Sequence, residues 1–269
     1  IHGTGTSGWR YGIYWFNGGG TPAITGLVEN NMVSVGYPGN TGTSYGLYMS
    51  NIGYMNITHN TLLITTGGTS SRAYYPASGG GNNVKNNIFA NYTGGYAIYL
   101  GNAFAVAQCD YNVLYSPAGN IGYYNGNQQT MADWQNASAF DANSIDNNPM
   151  FFSSEDLHVC NDTIGNQGTP IASITMDIDG QMRSVTTPDM GADEFSGLTG
   201  SFLGPDALVC AGDSIMISAG SPTDTILWST GDTTAFIWVT TLGTYTVSIN
   251  SACGSGTDAI VVNQSALNF

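Results

Sequence analysis

Apolar residues in the first half of the chain come in short runs, and asparagine stands at the head of each one. The words "VENNMVSV" (28–35), "ITHNTLLI" (57–64), "VKNNIFAN" (84–91) and "CDYNVLYS" (109–116) align on Asn31, Asn60, Asn87 and Asn112, in steps of 29, 27 and 25 residues. A second word is interleaved with the first: "YGIYWFN" (11–17), "YGLYMSN" (45–51), "RAYYPAS" (72–78), "YAIYLGN" (96–102) and "IGYYNGN" (121–127). Its fourth residue is always tyrosine, at Tyr14, Tyr48, Tyr75, Tyr99 and Tyr124. Neither word suits a helix, because asparagine side chains compete for the backbone hydrogen bonds. Two words repeating with one period describe a coil that carries at least two strands per turn, a β-solenoid. Equivalent residues of successive turns then stack at roughly 4.8 Å. Asparagine at a corner tolerates left-handed backbone, and its amide can donate to one rung while accepting from the next. Asn31, Asn60, Asn87 and Asn112 are therefore expected to form a structural ladder, and the five tyrosines a stacked column.

The pattern changes after the last repeat. "QTMADWQNASAF" (129–140) predicts a short helix, with Thr130 as cap, Asp133 in the first turn and Trp134 covering the coil. "NNPMFF" (147–152) returns to a strand, "TMDIDGQMRSVTTPDMGADEF" (175–195) concentrates carboxylates, and "SGLTGSF" (196–202) reads as a linker. From Leu203 onward "DSIMISA", "TILWST", "AFIWVT", "GTYTVSI" and "AIVVNQ" are closely spaced strands, which predict a small β-sandwich with Trp228 in its core. Cys210 precedes the second of these strands and Cys253 follows "TYTVSI", a placement that suits a disulfide in a domain this small. Cys109 and Cys160 read as plain buried thiols. The chain thus divides into residues 1–195, a linker 196–202, and residues 203–269.

Composition narrows the class. The chain has 269 residues, of which 37 are glycine and only 8% are charged, so its surface must be covered by Asn, Ser, Thr, Gly and Tyr, as is common in extracellular β-proteins. No apolar run approaches the roughly 18–20 residues that a spanning helix needs. The net charge of −14 is unevenly spread: residues 1–109 hold one acid, Glu29, against Arg10, Arg72 and Lys85. All 17 other acids follow, with Arg183 as the sole base after residue 109. With no basic patch, nucleic-acid binding is excluded. The first residues already run into a repeat word, which predicts a part of a longer secreted chain with further turns before Ile1.

"DWQNASAFDANSIDNNPMF" (133–151), "DLHV" (156–159) and "DIDGQMRSVTTPDMGADEF" (177–195) together resemble the closing segment of secreted bacterial right-handed parallel β-helix proteins of the pectate-lyase-like type. "LGPDALVCAGDSIMISAG" (203–220) and the strands after it resemble the immunoglobulin-like modules of large surface proteins exported by the type IX secretion pathway. The resemblance implies an all-β chain: a right-handed parallel β-helix followed by an immunoglobulin-like β-sandwich, located outside the cell or on its surface. It also implies Asp–Ser/Thr–apolar O-glycosylation signals, which make Thr163, Ser214, Thr225 and Thr233 candidate acceptors.

The chemistry is sparse. A pectate-lyase-like site needs clustered carboxylates and a base, and a glycoside hydrolase needs two carboxyl groups about 5–10 Å apart; Glu29 alone can build neither. His59, beside a ladder asparagine, reads as a corner residue hydrogen-bonded to a neighbouring rung. Asp177 and Asp179, with Gly180, faintly match the start of a calcium loop. The competing reading is that Arg183 pairs with one or two of Asp177, Asp179, Asp193 and Glu194 and clamps the last turn over the open end of the coil. Trp9, Trp15 and Tyr11 are candidate glycan contacts. No catalytic residue is assigned, and no cofactor beyond calcium. The expected role is a non-catalytic part of an adhesin or extracellular stalk. Its expected partners are other domains of the same chain, surface glycans or neighbouring surface proteins. The alternatives are a glycan-binding module and a carbohydrate-active enzyme whose catalytic turns lie before Ile1.

Overall fold

The computed structural model describes residues 8–159, 163–195, 203–210, 212–219, 225–251 and 254–265. Two compact units divide the chain, Ile1–Phe195 and Ser196–Phe269.

The first unit is a β-solenoid of about four stacked turns. Strands β1 (Arg10–Gly19), β2 (Gly26–Glu29) and β3 (Met32–Val35) make one turn; β4 (Ser44–Gly53), β5 (Met55–Thr58) and β6 (Thr61–Ile64) make the next. β7 (Arg72–Pro76), β8 (Asn82–Lys85) and β9 (Ile88–Asn91) follow, then β10 (Tyr96–Tyr99), β11 (Val106–Asp110) and β12 (Val113–Tyr115). β13 (Asn120–Tyr123) opens a further turn, and β14 (Asn127–Gln128) folds back on it antiparallel. Each strand pairs in parallel with its counterpart one turn away, giving three sheets. Sheet A is β1-β4-β7-β10-β13-β14, sheet B is β2-β5-β8-β11, and sheet C is β3-β6-β9-β12. The sequence period is the circumference of the coil.

Inside the coil, Leu47, Met49, Ile57, Leu62, Tyr74, Val84, Phe89 and Ile98 form one core. In sheet A two adjacent residues face that core on each turn: Ala73 with Tyr74, and Ala97 with Ile98. The smaller of each pair is needed because the lumen is narrow. At the equivalent Gly46, a Cβ would meet the Ala73 carbonyl oxygen at 2.5 Å. This break in alternation returns residues three apart to the outer face, which is how Tyr11 and Tyr14 come to share it. Sheet C is buried on both sides: β6 and β9 have no exposed residue. Its outer face is covered by Leu157, Val159, Ile164 and Met190 from the closing segment. That explains why these strands read as continuous apolar runs rather than alternating ones.

Helix α1 (Met131–Ser138) closes the coil after the last repeat. Thr130 caps it, in a capping box with Asp133. Trp134 is fully buried in the coil core. Its ring lies where a side chain at Gly122 would stand, with a Cβ there only 2.3 Å away.

The second unit contains β15 (Ala207–Val209), β16 (Ile215–Ser218), β17 (Thr225–Trp228), β18 (Phe236–Val239), β19 (Gly243–Ser251) and β20 (Gly254–Gln264). One sheet runs β15-β20-β19-β17 and the other pairs β16 with β18; all pairs are antiparallel except β15 with β20. Trp228, Ile237, Val247 and Val262 share its core.

Of the disulfide expected between Cys210 and Cys253, only the first cysteine lies among the described residues. Cys210 is an exposed free thiol, and Cys253 lies outside the described residues, as does Cys160. Val209 pairs with Gln264, whereas Gly254 begins β20 at its other end. Cys109 is a buried free thiol.

Candidate functional site

The asparagine ladder runs the length of the coil. Asn31 Nδ2 donates to Asn60 Oδ1 at 2.8 Å, Asn60 Nδ2 to Asn87 Oδ1 at 3.0 Å, and Asn87 Nδ2 to Asn112 Oδ1 at 3.0 Å. Each amide oxygen also accepts the backbone N–H of the preceding ladder residue. Asp141 terminates the ladder: its Oδ1 accepts Asn112 Nδ2 at 3.0 Å and its Oδ2 accepts the Trp134 indole at 2.8 Å. A carboxylate fits there because it only accepts, so the chain of donors ends without an orphan. The left-handed backbone expected of the ladder asparagines falls one residue earlier, on Asn30, His59, Asn86 and Tyr111. That displacement turns the ladder amides inward and sends the preceding side chains outward.

Those outward side chains hold the closing segment. Asn86 Nδ2 donates to Thr169 O and its Oδ1 accepts Thr169 N, at 2.7 and 2.9 Å. His59 Nε2 accepts from Asn86 Nδ2 at 2.9 Å, and its Nδ1 faces Gly191 O at 3.3 Å. Burial, with help from nearby Arg183, pushes this histidine down to about 3, so it is neutral. Gly191, at φ +100°, passes so close that a Cβ would meet Ile88 at 2.6 Å.

Arg183 does act as a clasp, although on a different part of the coil from the one expected. Its NH2 donates to Asn30 Oδ1 in the first turn and to the carbonyls of Gly191 and Ala192; its NH1 reaches Glu194 at 3.3 Å by one bond, not two. The closing segment is strapped along the flank of the coil, and helix α1 covers the last turn instead.

Most closing-segment carboxylates are consumed by backbone amides. Asp177 accepts from the N–H groups of Asp179, Gln181 and Glu194, which occupy three of the roughly four acceptor positions of its carboxylate. Asp189 accepts from Asn166 and Phe195, and Glu194 from Ser184 and Asp189. Burial raises Asp189 to about 7 and Asp193 to about 6. A different group forms around His158. Its Nδ1 meets Asp156 Oδ1, and its Nε2 meets Asp179 Oδ2 at 2.8 Å, with Asp193 beside them. Sequence reading missed this cluster, whose signal was the "DLH" spacing before the carboxylate-rich run.

The outer face of sheet A carries a field of tyrosines. Tyr14 stacks on Tyr48 (centroids 5.3 Å apart, 8° between planes), Tyr48 meets Tyr75 edge-on at 5.4 Å, and Tyr75 meets Tyr99 edge-on at 5.2 Å. The column ends on Tyr123, stacked on Tyr99 at 4.3 Å, not on Tyr124 as the spacing suggested. The register explains the shift: Tyr99 pairs with Tyr123, and Tyr124 turns in against the core. A second column begins with Tyr11 on Tyr45 at 5.0 Å. Arg72 then occupies the next place, since it pairs with both Tyr45 and Tyr96. Its guanidinium lies 4.2 Å from the Tyr75 centroid and 3.8 Å from that of Tyr99. Among the described residues it makes no ion pair, and its Nε is buried without a hydrogen-bond partner. The signal was legible, because "RAYY" departs from the tyrosine that opens the equivalent words at Tyr45 and Tyr96. Arg10 lies 4.9 Å over Tyr37 and extends the same chemistry toward exposed Trp9. Trp15 faces the core and is no surface contact.

Thr163, Ser214, Thr225 and Thr233 are all exposed. Among the described residues no helix is long and apolar enough to cross a membrane. No protein-family model, curated protein or solved structure matches the chain.

Proposed function

We propose that this chain is a non-catalytic part of a secreted cell-surface adhesin or stalk, whose contact surface is the tyrosine–arginine face of sheet A. In this reading the solenoid is a right-handed parallel β-helix serving as a stiff spacer, followed by an immunoglobulin-like module. The observation that carries the proposal is Arg72, a cation with no carboxylate partner among the described residues, set among outward-facing tyrosines. Tyrosine and arginine are the residues most enriched where surfaces bind tightly. Aromatic faces suit sugar rings and the guanidinium suits a carboxylate or sulfate, so an acidic surface glycan fits this face.

Two further observations support the reading. Glu29 and Asp110 share one column of sheet B through Thr58 and Lys85. They stand three rungs apart, about 14 Å, too far for a glycosidase pair. In the second unit the Tyr245 hydroxyl donates to Thr241 O at 2.8 Å, like the tyrosine corner of immunoglobulin-type sandwiches. Export by the type IX route and O-glycosylation at Thr163, Ser214, Thr225 and Thr233 belong to the same proposal, and intact mass of natively produced protein tests the latter.

The deciding experiment is retention of residues 1–269 on immobilised acidic and neutral polysaccharides, with product analysis of the same incubations. Acidic glycans should retain the protein in a salt-sensitive way, and Arg72→Gln or Tyr99→Ala should weaken retention on the order of tenfold. No retention on any glycan overturns the contact-surface assignment, and release of new reducing ends or unsaturated products restores an enzyme.

A further inference from the structure

We propose that His158, Asp179 and Asp193 form a binding site for a divalent transition-metal ion, zinc being the reference ion, with Asp156 as its supporting residue. The site differs from a calcium loop in composition and in place: it is built around an imidazole nitrogen, and it does not use Asp177.

Four features of the chain carry the inference. First, the other carboxylates of the closing motif are committed to backbone amides, as at Asp177, Asp189 and Glu194. Asp179 instead aims Oδ2 at His158 Nε2. Second, Asp193 is only 4% exposed, yet among the described residues its one hydrogen bond is a long contact from Val159 N at 3.4 Å. A buried carboxylate favours a positive charge beside it, and His158 stands in that place. Third, Asp156 grips the other ring nitrogen of His158. Carboxylate–histidine support of this kind fixes the tautomer and ring orientation of metal-ligating histidines. Fourth, ligand atoms of His158, Asp179 and Asp193 all lie within 4.8 Å of one another. Around a tetrahedral zinc they would stand roughly 3.4 Å apart, so a small rotation of the exposed Asp179 side chain closes the shell.

The donor set also selects the ion. One imidazole and two carboxylates suit zinc and its first-row neighbours, whereas calcium prefers an all-oxygen shell of six or more ligands. Three protein ligands leave a fourth position open to water. His158 and Asp179 are partly exposed, which gives the ion a path in.

The test is calorimetric titration of residues 1–269 with Zn²⁺, Ca²⁺ and Mg²⁺, together with the visible spectrum of the Co²⁺-loaded protein. The expected result is one zinc per chain, bound far more tightly than calcium, with cobalt d–d bands of low coordination number. Asp179→Asn, at an exposed position where folding is safe, and His158→Ala should each weaken zinc at least tenfold and abolish the cobalt bands. Asp156→Asn should weaken zinc by about 10–100-fold. Zinc binding that is absent at millimolar concentration, or that survives both Asp179→Asn and His158→Ala unchanged, overturns the proposal.

Discussion

Replacing Asn87 by leucine removes the middle of the ladder while keeping the branched four-atom skeleton of the side chain, and its cost can be worked out bond by bond. Asn87 Oδ1 accepts both Asn60 N and Asn60 Nδ2 at 3.0 Å, and its Nδ2 donates to Ile57 O, Lys85 O and Asn112 Oδ1. Some of these partners have somewhere else to go. Asn60 Nδ2 keeps Val28 O and Thr58 O, Lys85 O keeps His59 N, and Asn112 Oδ1 keeps Asn87 N. The backbone N–H of Asn60 does not, and it is fully buried. One orphaned buried donor costs about 1–3 kcal/mol, and the weakened acceptors add to it. The expected loss is therefore about 2–4 kcal/mol for Asn87→Leu. Asn31 is half-buried at the start of the ladder, and no earlier rung donates to it among the described residues. Asn31→Leu should cost about 1 kcal/mol. Urea unfolding of both variants, followed by circular dichroism and by fluorescence of the buried Trp134, measures the difference. Equal midpoints for the two variants, or an Asn87→Leu midpoint unchanged from wild type, would refute the argument that interior rungs are held by these amides.

Two other expectations concern the strap. His59 is held at about 3 against 6.5 when unfolded, so its contribution is fully present above pH 6.5 and is lost as pH falls toward 3. Asp189 and Asp193, raised to about 7 and 6, work in the opposite sense and strengthen folding over the same descent. His59→Asn keeps a residue type already found at the equivalent Asn30 and Asn86, and it should gain roughly 2–3 kcal/mol on wild type between pH 7 and 4; parallel pH profiles in urea unfolding would contradict it. Arg183→Met should cost about 3–5 kcal/mol, because it strands buried carbonyls and Glu194. Hydrogen exchange should show the loss at the closing segment and first turn while amides of β10 and β13 stay protected, and uniform deprotection of the whole coil would argue against a strap.

How much of this could be read in the residues depends on whether the information is periodic. The coil announces itself because each turn repeats a word, and the period fixes which residues meet. The ladder positions follow from it, since Asn31, Asn60, Asn87 and Asn112 mark the one position at which the first word never changes. Word matching fails by one residue at Tyr124: the step of 24 residues from the preceding turn continues unbroken to Tyr123, which takes the column. It also fails at the left-handed corner, because the word "NN" does not say which of its two asparagines carries the positive φ. The closing segment has no period. Its contacts, such as Asn30 with Arg183 across 153 residues, are set by side-chain hydrogen bonds between loops, and spacing carries no trace of them. The same holds for His158 and Asp179, which are 21 residues apart in the chain yet hydrogen-bonded. Strand order in the second unit was likewise not legible: β15 pairs in parallel with β20, the last strand, and strand order is not encoded in strand spacing.

The three sheets of the coil have different outer faces, and that asymmetry bears on function. A solenoid in which each turn contacts only its neighbours is held by nearest-neighbour terms and can fray from either end. Here the closing segment returns along sheet C and ties Asn30, His59 and Asn86, on three successive turns, to one strap. Sheet C is thereby spent on stability. Sheet B presents a polar outer row, with Asn83 donating to Asn56 and Asn56 to Thr25, and such a row is well satisfied by itself. Sheet A alone keeps large aromatic side chains outward without a covering segment among the described residues. Stacking with one another accounts for the tyrosines as a column, and Arg72 joins it through cation–π contacts while making no ion pair among the described residues. The guanidinium of Arg72 is held there by its cation–π contacts with Tyr75 and Tyr99, and the proposed recognition of an acidic partner would use the same group.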